Sequence, residues 1–138
     1  MQDAVGRYLA ASEACDIDSL VETLAPDAEL VSPISGRLVF RGRDDLRLLT
    51  GAVYGALRGL RWDERVDGPG RAFVAGSARV GPFALDDAMI FELDDAGQIT
   101  RVRPHLRPWL GLTALAIRLL PAIASRPGLL LRGLRAER

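Results

Sequence analysis

The side chains that could do chemistry in this sequence include an aspartate inside an apolar run, "FALDDAMIF", at residues 83–91. Alternate positions of an extended chain share a face, so Asp87 lies on the same face as Met89 and Phe91, and Asp86 lies on the other. A carboxylate among apolar side chains has its pKa raised by loss of hydration, and it can then act as a general acid or base. In the alternative, Asp87 lies near the start of its strand, where it is hydrated or paired with an arginine.

The remaining reactive side chains form no recognised catalytic pattern. Tyr8 could donate a hydrogen bond to a ligand, or it could be a core tyrosine with one hydrogen bond. His105 alternates with Pro104 and Leu106, which favours a surface or interface position. Since no spacing of His, Cys and carboxylates fits a metal site, and the glycines fit no phosphate-binding loop, we expect no metal and no cofactor. A nucleophilic pair of Cys15 and His105 is left open.

The composition is typical of a soluble globular domain. The chain has 138 residues, of which 49% are hydrophobic and 26% are charged, enough for one domain with its own core. The single cysteine excludes an internal disulfide and favours a reducing compartment. No basic segment followed by an apolar run opens the chain, so we expect no signal peptide and a cytoplasmic location.

The first half of the chain predicts mainly helices. Residues 4–16 carry apolar side chains at helical spacing, and a second helix follows from an N-cap at Asp16 or Asp18. Pro26 prevents that helix from continuing. Residues 43–57 predict a third helix with one apolar stripe. The stripe comprises Leu46, Leu49, Val53 and Leu57.

The second half predicts a strand meander followed by two apolar helices. The predicted strands are 28–33, 37–42, 60–67, 71–80, 83–93 and 98–106, with turn signals between the last four. Residues 108–120 and 128–137 predict the helices, separated by Pro121 and Pro127. Helices gathered on one face of an antiparallel sheet make an α+β domain, and a sheet curved around a helix leaves a concave pocket.

Three segments resemble the SnoaL-like branch of the nuclear-transport-factor-2-like superfamily, which includes ketosteroid isomerases and polyketide cyclases. They read "GRYLAASEACDIDSLVETLAPDAELVSP", "FRGRDDLRLL" and "ALDDAMIFELDDAGQIT". The resemblance implies an α+β fold in which a cone-shaped, curved antiparallel sheet wraps around N-terminal helices. Residues 1–106 would form this cone domain. Residues 107–138 would form an apolar, basic helical extension packed on the same domain or on a partner subunit.

The resemblance also assigns positions in the site. Ketosteroid isomerases use an Asp base to move a proton between carbons, and they hold the oxyanion with a Tyr and a protonated acid. By this resemblance, Tyr8 falls at the oxyanion tyrosine, Ser32 at the base and Met89 at the second acid. A serine hydroxyl cannot take a carbon-bound proton as a carboxylate does, so the usual acids are missing. The comparison turns Met89 inward, and Asp87 turns inward with it.

We therefore predict a domain that binds a small, mostly apolar molecule. If it is an enzyme, we expect isomerase- or cyclase-like proton transfer with Asp87 as the acid or base and Tyr8 as the hydrogen-bond donor. The residues expected to contact the ligand are Ser32, Trp62, Met89 and Phe91. The alternative is a non-catalytic ligand-binding or dimerisation module of the same fold. A pairing of Arg79 with Asp87 would resemble the Asp–Arg–Asp site of limonene-type epoxide hydrolases, whose second acid has no match here.

Charge is unevenly distributed along the chain. Residues 1–100 carry 10 arginines and 17 acids, whereas residues 101–138 carry 8 arginines and one acid. Nucleic-acid binding would need aromatic side chains among these arginines, and only Trp109 is near, so we expect none. The apolar extension must pack over the cone, against a partner or on a membrane. Uneven spacing of its arginines favours packing on protein over contact with a membrane.

Two large apolar side chains are predicted on the outer face of the sheet. The alternation of the strands places Phe73 and Ile90 there. Exposed apolar groups of this size usually mark an interface, so we predict a homodimer.

Overall fold

The computed structural model describes residues 3–135, which form five helices and six strands. The helices are α1 (Ala4–Ala14), α2 (Ile17–Glu22), α3 (Arg43–Ala56), α4 (Trp109–Ala124) and α5 (Pro127–Arg135). The strands are β1 (Leu24–Val31), β2 (Val39–Arg41), β3 (Arg58–Gly68), β4 (Arg71–Val80), β5 (Phe83–Leu93) and β6 (Ile99–Arg107). The order of helices and strands along the chain is the predicted one.

The strands form one curved, open sheet in the order β2-β1-β6-β5-β4-β3. This arrangement confirms the predicted α+β cone with a C-terminal helical extension. The sheet is mixed rather than wholly antiparallel, because β1 and β6 run parallel. The cause is topological: the meander β3 to β6 brings its last strand back beside the first strand of the chain.

Local capping sets the ends of the first two helices. The Asp3 carboxylate accepts a hydrogen bond from the backbone N–H of Gly6 at 2.8 Å, and α1 ends at Cys15, whose φ is 54°. Of the two N-caps considered for α2, the structure uses Asp16, whose carboxylate accepts from the N–H of Ser19 at 3.3 Å. Side-chain oxygens at this position satisfy N–H groups that the helix leaves free.

Strand β1 begins earlier than the sequence predicts. It includes Pro26, which was expected to lie between the helix and the strand. The register of β1 against β6 shifts between Leu24 and Glu29. Pro26 lies in this irregular stretch, where regular pairing with β6 is interrupted. A residue without an N–H group is tolerated at such a position.

The core lies between the concave face of the sheet and the helices. Leu46 and Leu49 of the predicted α3 stripe are buried there, together with Tyr8 of α1 and Phe91 of β5. Tyr8 and Phe91 pack edge to face with ring centroids 5.0 Å apart. The apolar period of each element therefore determines which face it turns to the core.

Helix α4 packs on β4, β5, β6 and α3. Leu115 and Leu119 on its inner side join Val80 and Leu85 in a second apolar cluster. Gly111 permits the approach, because a Cβ there would overlap the carbonyl oxygen of Ala84 on β5.

Pro121 does not end α4, although the sequence predicts that it separates two helices. The helix continues for three residues to Ala124, and Pro127 opens α5. Proline is favoured at a first helical position, where its missing N–H is not needed. None of the described helices is by itself long and apolar enough to cross a membrane, and α4 and α5 reach that length together only with a bend of 110°.

Candidate functional site

A mostly apolar cavity of about 100 Å³ lies between the concave face of the sheet and helices α3 and α4. Residues of α1, β1, β5, β6 and the loop after β1 complete its wall. Its inner wall includes Met89, and α4 closes one side with Leu112, Leu115 and Leu119. The C-terminal extension is therefore part of the cavity wall.

The Asp87 carboxyl group lies in this apolar wall. Asp87 is 7% exposed, and its Oδ1 atom is buried without a hydrogen-bond partner among residues 3–135. Burial raises the pKa of Asp87 from 3.8 to about 7, because the ionised form loses its hydration. Near neutral pH the carboxyl group is therefore present in both its protonated and its ionised form, so it can give or accept a proton.

Two tyrosine hydroxyls meet beside the carboxyl group. The Tyr8 and Tyr54 hydroxyl oxygens are 2.8 Å apart and share one hydrogen bond. Burial raises the pKa of both hydroxyls, and the Asp87 carboxylate lies close enough to oppose their ionisation further. Both tyrosines stay protonated at neutral pH. Since the pair uses one proton internally, the other is free to be donated into the cavity.

Ser32 lines the cavity, but its hydroxyl has a local role. Its Oγ accepts a hydrogen bond from the N–H of Ile34 at 3.1 Å, and its own N–H donates to the carbonyl of Leu38 at 2.8 Å. These bonds shape the turn after β1. The Ser32 side chain therefore supports the turn that forms this part of the cavity wall.

Phe91 and Trp62 do not line this cavity, in contrast to Ser32 and Met89. Phe91 is fully buried behind Tyr8. Trp62 is half-buried, and its indole Nε1 donates to the hydroxyl of Ser12 at 2.9 Å. Both side chains pack between α1 and the sheet, where Phe91 supports the Tyr8 ring and Trp62 is bonded to α1 at Ser12.

Three other candidates point away from the cavity. Arg79 is exposed and donates to the carbonyl of Pro82 at 2.9 Å, so the pairing with Asp87 that the sequence suggested does not form. His105 is exposed on the outer face of β6, as its alternation predicts, and Cys15 is exposed at the end of α1. Within residues 3–135, no three His, Cys, Asp or Glu side chains are grouped to hold a metal ion.

Sequence reasoning missed Tyr54 and Thr50, which both line the cavity from α3. Thr50 lies four residues after Leu46, a core residue of the predicted stripe, and Tyr54 lies eight residues after it. This spacing returns to the same helix face. The Thr50 hydroxyl donates to the carbonyl of Leu46 at 2.6 Å, so it is satisfied within the helix. The helical period could have predicted that Tyr54 lies on the buried face of α3. Its hydrogen bond with Tyr8 could not be predicted in this way, because it depends on how α1 and α3 are placed in the fold.

Solved structures share this fold across most of their length. An uncharacterised bacterial protein with a cystatin-like fold from Silicibacter pomeroyi has a TM-score of 0.87 at 18% identity, covering 99% of this chain and 95% of its own. A steroid delta-isomerase from Pseudomonas aeruginosa has a TM-score of 0.81 at 22% identity, covering 91% and 92%. A candidate polyketide cyclase from Sinorhizobium meliloti has a TM-score of 0.64 at 24% identity, covering 76% and 95%. Identities this low show the fold alone.

The sequence itself also matches a known family. No curated protein matches the chain in sequence. The pattern of the SnoaL-like domain matches residues 5–102, which is well over half of the chain and includes β1 to β5, Tyr8 and Asp87. The protein therefore belongs to the family of SnoaL-like domains, within the nuclear-transport-factor-2-like fold.

Proposed function

We propose that this protein binds a small, mostly apolar molecule with one polar oxygen and moves a proton on it, as isomerases and cyclases do. Asp87 is the acid or base, and Tyr8 is the hydrogen-bond donor, supported by Tyr54. The observation that carries the proposal is the buried Asp87 carboxyl group, unpartnered in an apolar cavity beside two hydrogen-bonded tyrosines. Two of the structural neighbours are named as an isomerase and a candidate cyclase, which supports the same class of reaction.

The chemistry follows from the two protonation states. With a pKa of about 7, Asp87 is ionised in a large fraction of molecules at neutral pH, and in that form it can take a proton from a carbon next to a carbonyl. The negative charge then moves to the carbonyl oxygen, where a hydrogen bond from the protonated Tyr8 hydroxyl stabilises it. The proton on Asp87 returns to another carbon of the same molecule. No group outside the chain is consumed.

The size of the cavity restricts the ligand. A dry cavity of roughly 150 Å³ accommodates a benzene molecule. The cavity found here, at about 100 Å³, is smaller, so in this conformation it suits a short branched chain, and a six-membered ring fits only with a small outward movement of the cavity wall. A larger molecule would require α4 or the loop after β1 to move outward.

A small β,γ-unsaturated ketone, 3-cyclohexen-1-one, tests the proposed activity. Its isomerisation to the conjugated ketone is followed by ultraviolet absorbance. We expect turnover by the natural chain, and Asp87→Asn should lower kcat by about 100-fold or more, the usual loss for a general acid or base. Ser32→Ala is the matched control, because Ser32 lines the same cavity and should change kcat little. An unchanged kcat in Asp87→Asn would remove Asp87 from the mechanism.

The second candidate function is ligand binding without catalysis. It is favoured by the groups at the two positions where the resemblance places acids, because the Ser32 hydroxyl supports a turn and Met89 is apolar. Native mass spectrometry of the protein purified from its own host would show a retained molecule in either case. A molecule retained equally by Asp87→Asn, with no turnover of the ketone by the natural chain, would favour binding alone.

We also propose a cytoplasmic homodimer that pairs through the outer face of the sheet. Val66, Phe73 and Ile90 are directly paired neighbours on three adjacent strands. Val66 is 67% exposed and Phe73 is 43% exposed. Phe73→Asp should convert the dimer to a monomer in light scattering, and Leu131→Asp on α5 should not. A monomeric natural chain at high concentration would contradict the dimer.

A further inference from the structure

Helix α4 presents an apolar stripe to the solvent as well as to the cavity. Trp109 is 71% exposed, Ile117 60%, Leu120 58% and Leu110 48%. At 100° per residue these four side chains fall within about one third of the helix circumference. Most soluble helices turn charged or polar residues to the solvent at these positions, so this helix face lacks its cover.

Helix α5 also exposes apolar side chains to the solvent. Its Leu129 is buried against the domain, whereas Leu130, Leu131 and Leu134 are 37%, 52% and 50% exposed. The helix is tied to the domain by Arg132, which donates to both carboxylate oxygens of Asp45 at 2.7 Å. The exposed apolar side chains therefore belong to a fixed surface. We name the seven exposed side chains of the two helices the C-terminal apolar surface; they are Trp109, Leu110, Ile117, Leu120, Leu130, Leu131 and Leu134.

Charge identifies the occupant of this surface. Residues 108–135 contain four arginines and no acid, and one of the four, Arg132, is paired with Asp45 of α3. Arg118, which lies on α4 between its exposed and its buried side with its guanidinium close to Gly81, and Arg126, between the helices, are both exposed. A second copy docked through the same surface would bring positive charges together, which opposes association. An anionic lipid surface has negatively charged headgroups that attract arginines, and beneath them acyl chains that can contact the apolar side chains.

We infer that the C-terminal apolar surface docks on an anionic membrane, with α4 and α5 lying in the interface. The 110° bend between the helices and the packing of their inner sides on the domain oppose insertion across the bilayer. Trp109 is at the start of α4, and tryptophan favours the boundary between lipid and water. This inference departs from the sequence-based preference for packing on protein alone, because the structure gives α4 two apolar sides, of which protein covers one.

Sedimentation of the full chain with vesicles tests the inference. We expect binding to vesicles of phosphatidylcholine with one quarter phosphatidylglycerol, weaker binding at high salt and little binding to phosphatidylcholine alone. Neutralisation by Arg118→Gln or Arg126→Gln should weaken binding about fivefold each. The double variant Ile117→Glu/Leu120→Glu should weaken it more than tenfold. Ala96→Glu, in the exposed turn between β5 and β6, is the control and should not, because it adds negative charge away from both the C-terminal apolar surface and the proposed dimer face.

A second measurement reports on the docked helix itself. In a Trp62→Phe background, Trp109 is the only indole, and its emission should shift to shorter wavelength when anionic vesicles are added. Absence of binding to either vesicle, or equal binding to both, would overturn the inference. A fall in oligomeric mass of Ile117→Glu/Leu120→Glu without vesicle binding by the natural chain would show that a second copy covers the surface instead.

Discussion

Asp87→Asn is expected to stabilise the folded protein by about 4 kcal/mol at pH 8 and by well under 1 kcal/mol at pH 4. In the folded state burial raises the pKa of Asp87 to about 7, whereas the unfolded chain has the ordinary value of 3.8. Below about pH 3 both states are protonated and the carboxyl group has no pH-dependent effect on stability. As the pH rises from about 4 to 7, the unfolded state loses its proton first, so the natural protein loses stability over that range.

Chemical denaturation of both proteins at several pH values measures this difference. Asp86→Asn is the matched control, because Asp86 is exposed on the opposite face of the same strand and pairs with Arg107 at 3.4 Å only at the surface. An exposed pair of this kind contributes about 0–1 kcal/mol. Other titrating groups contribute equally to the stability of Asp87→Asn and of the natural chain, so their contributions cancel in the difference. One such group is Asp3, whose pKa is lowered by its hydrogen bond to Arg65.

A gain in stability that is the same at pH 4 and pH 8 would contradict a raised pKa at Asp87. The expected result combines with the kinetic prediction for the same variant, which should be more stable and less active. A carboxyl group that destabilises the fold and supports a reaction is the usual form of a trade-off between stability and activity.

Removal of residues 108–138 is expected to give an unfolded or aggregating protein. Three leucines that are buried in the folded chain, Leu115, Leu119 and Leu129, would be lost from the core. Burial of each contributes about 1.5–3 kcal/mol, and their sum is comparable with a net stability of roughly 5–15 kcal/mol. The buried carboxylate of Asp45 would also lose its partner Arg132. Expression yield, light scattering and circular dichroism of the truncated chain measure the outcome.

Point variants on α4 show which side of the helix contributes to the stability of the fold. Leu115→Ala should lower the free energy of unfolding by about 2–5 kcal/mol, because it leaves a cavity in a packed cluster. Ile117→Ala, on the exposed side of the same helix, should change it by about 0.5 kcal/mol or less. A truncated chain that stays soluble with an unchanged melting temperature would contradict the structural role of the extension.

Most of the helices and strands, and the directions of several side chains, can be predicted from the order of the amino acids. The alternation in "FALDDAMIF" placed Asp87 on the same face as Met89, and both side chains are buried. The strands at 71–80 and 83–93 and the helix beginning at residue 43 lie where the periods predicted them. Helices and strands depend mainly on residues that are close together along the chain. The hydrophobic period of a segment therefore predicts its type and its buried face.

The assembly of the candidate site depends on contacts between segments that are distant along the chain. The bond between Tyr8 and Tyr54 joins residues 46 positions apart, and no local pattern specifies which helix face meets another. Likewise, β1 pairs with β6 in parallel because of the path of the whole meander. Phe91 lies behind Tyr8, and Trp62 bonds to Ser12, so neither side chain lines the cavity. Helix α4 is apolar around most of its circumference, so its sequence gave no signal for which side would close the cavity. Packing against β5 at Gly111 settled that choice, and it left the other side exposed.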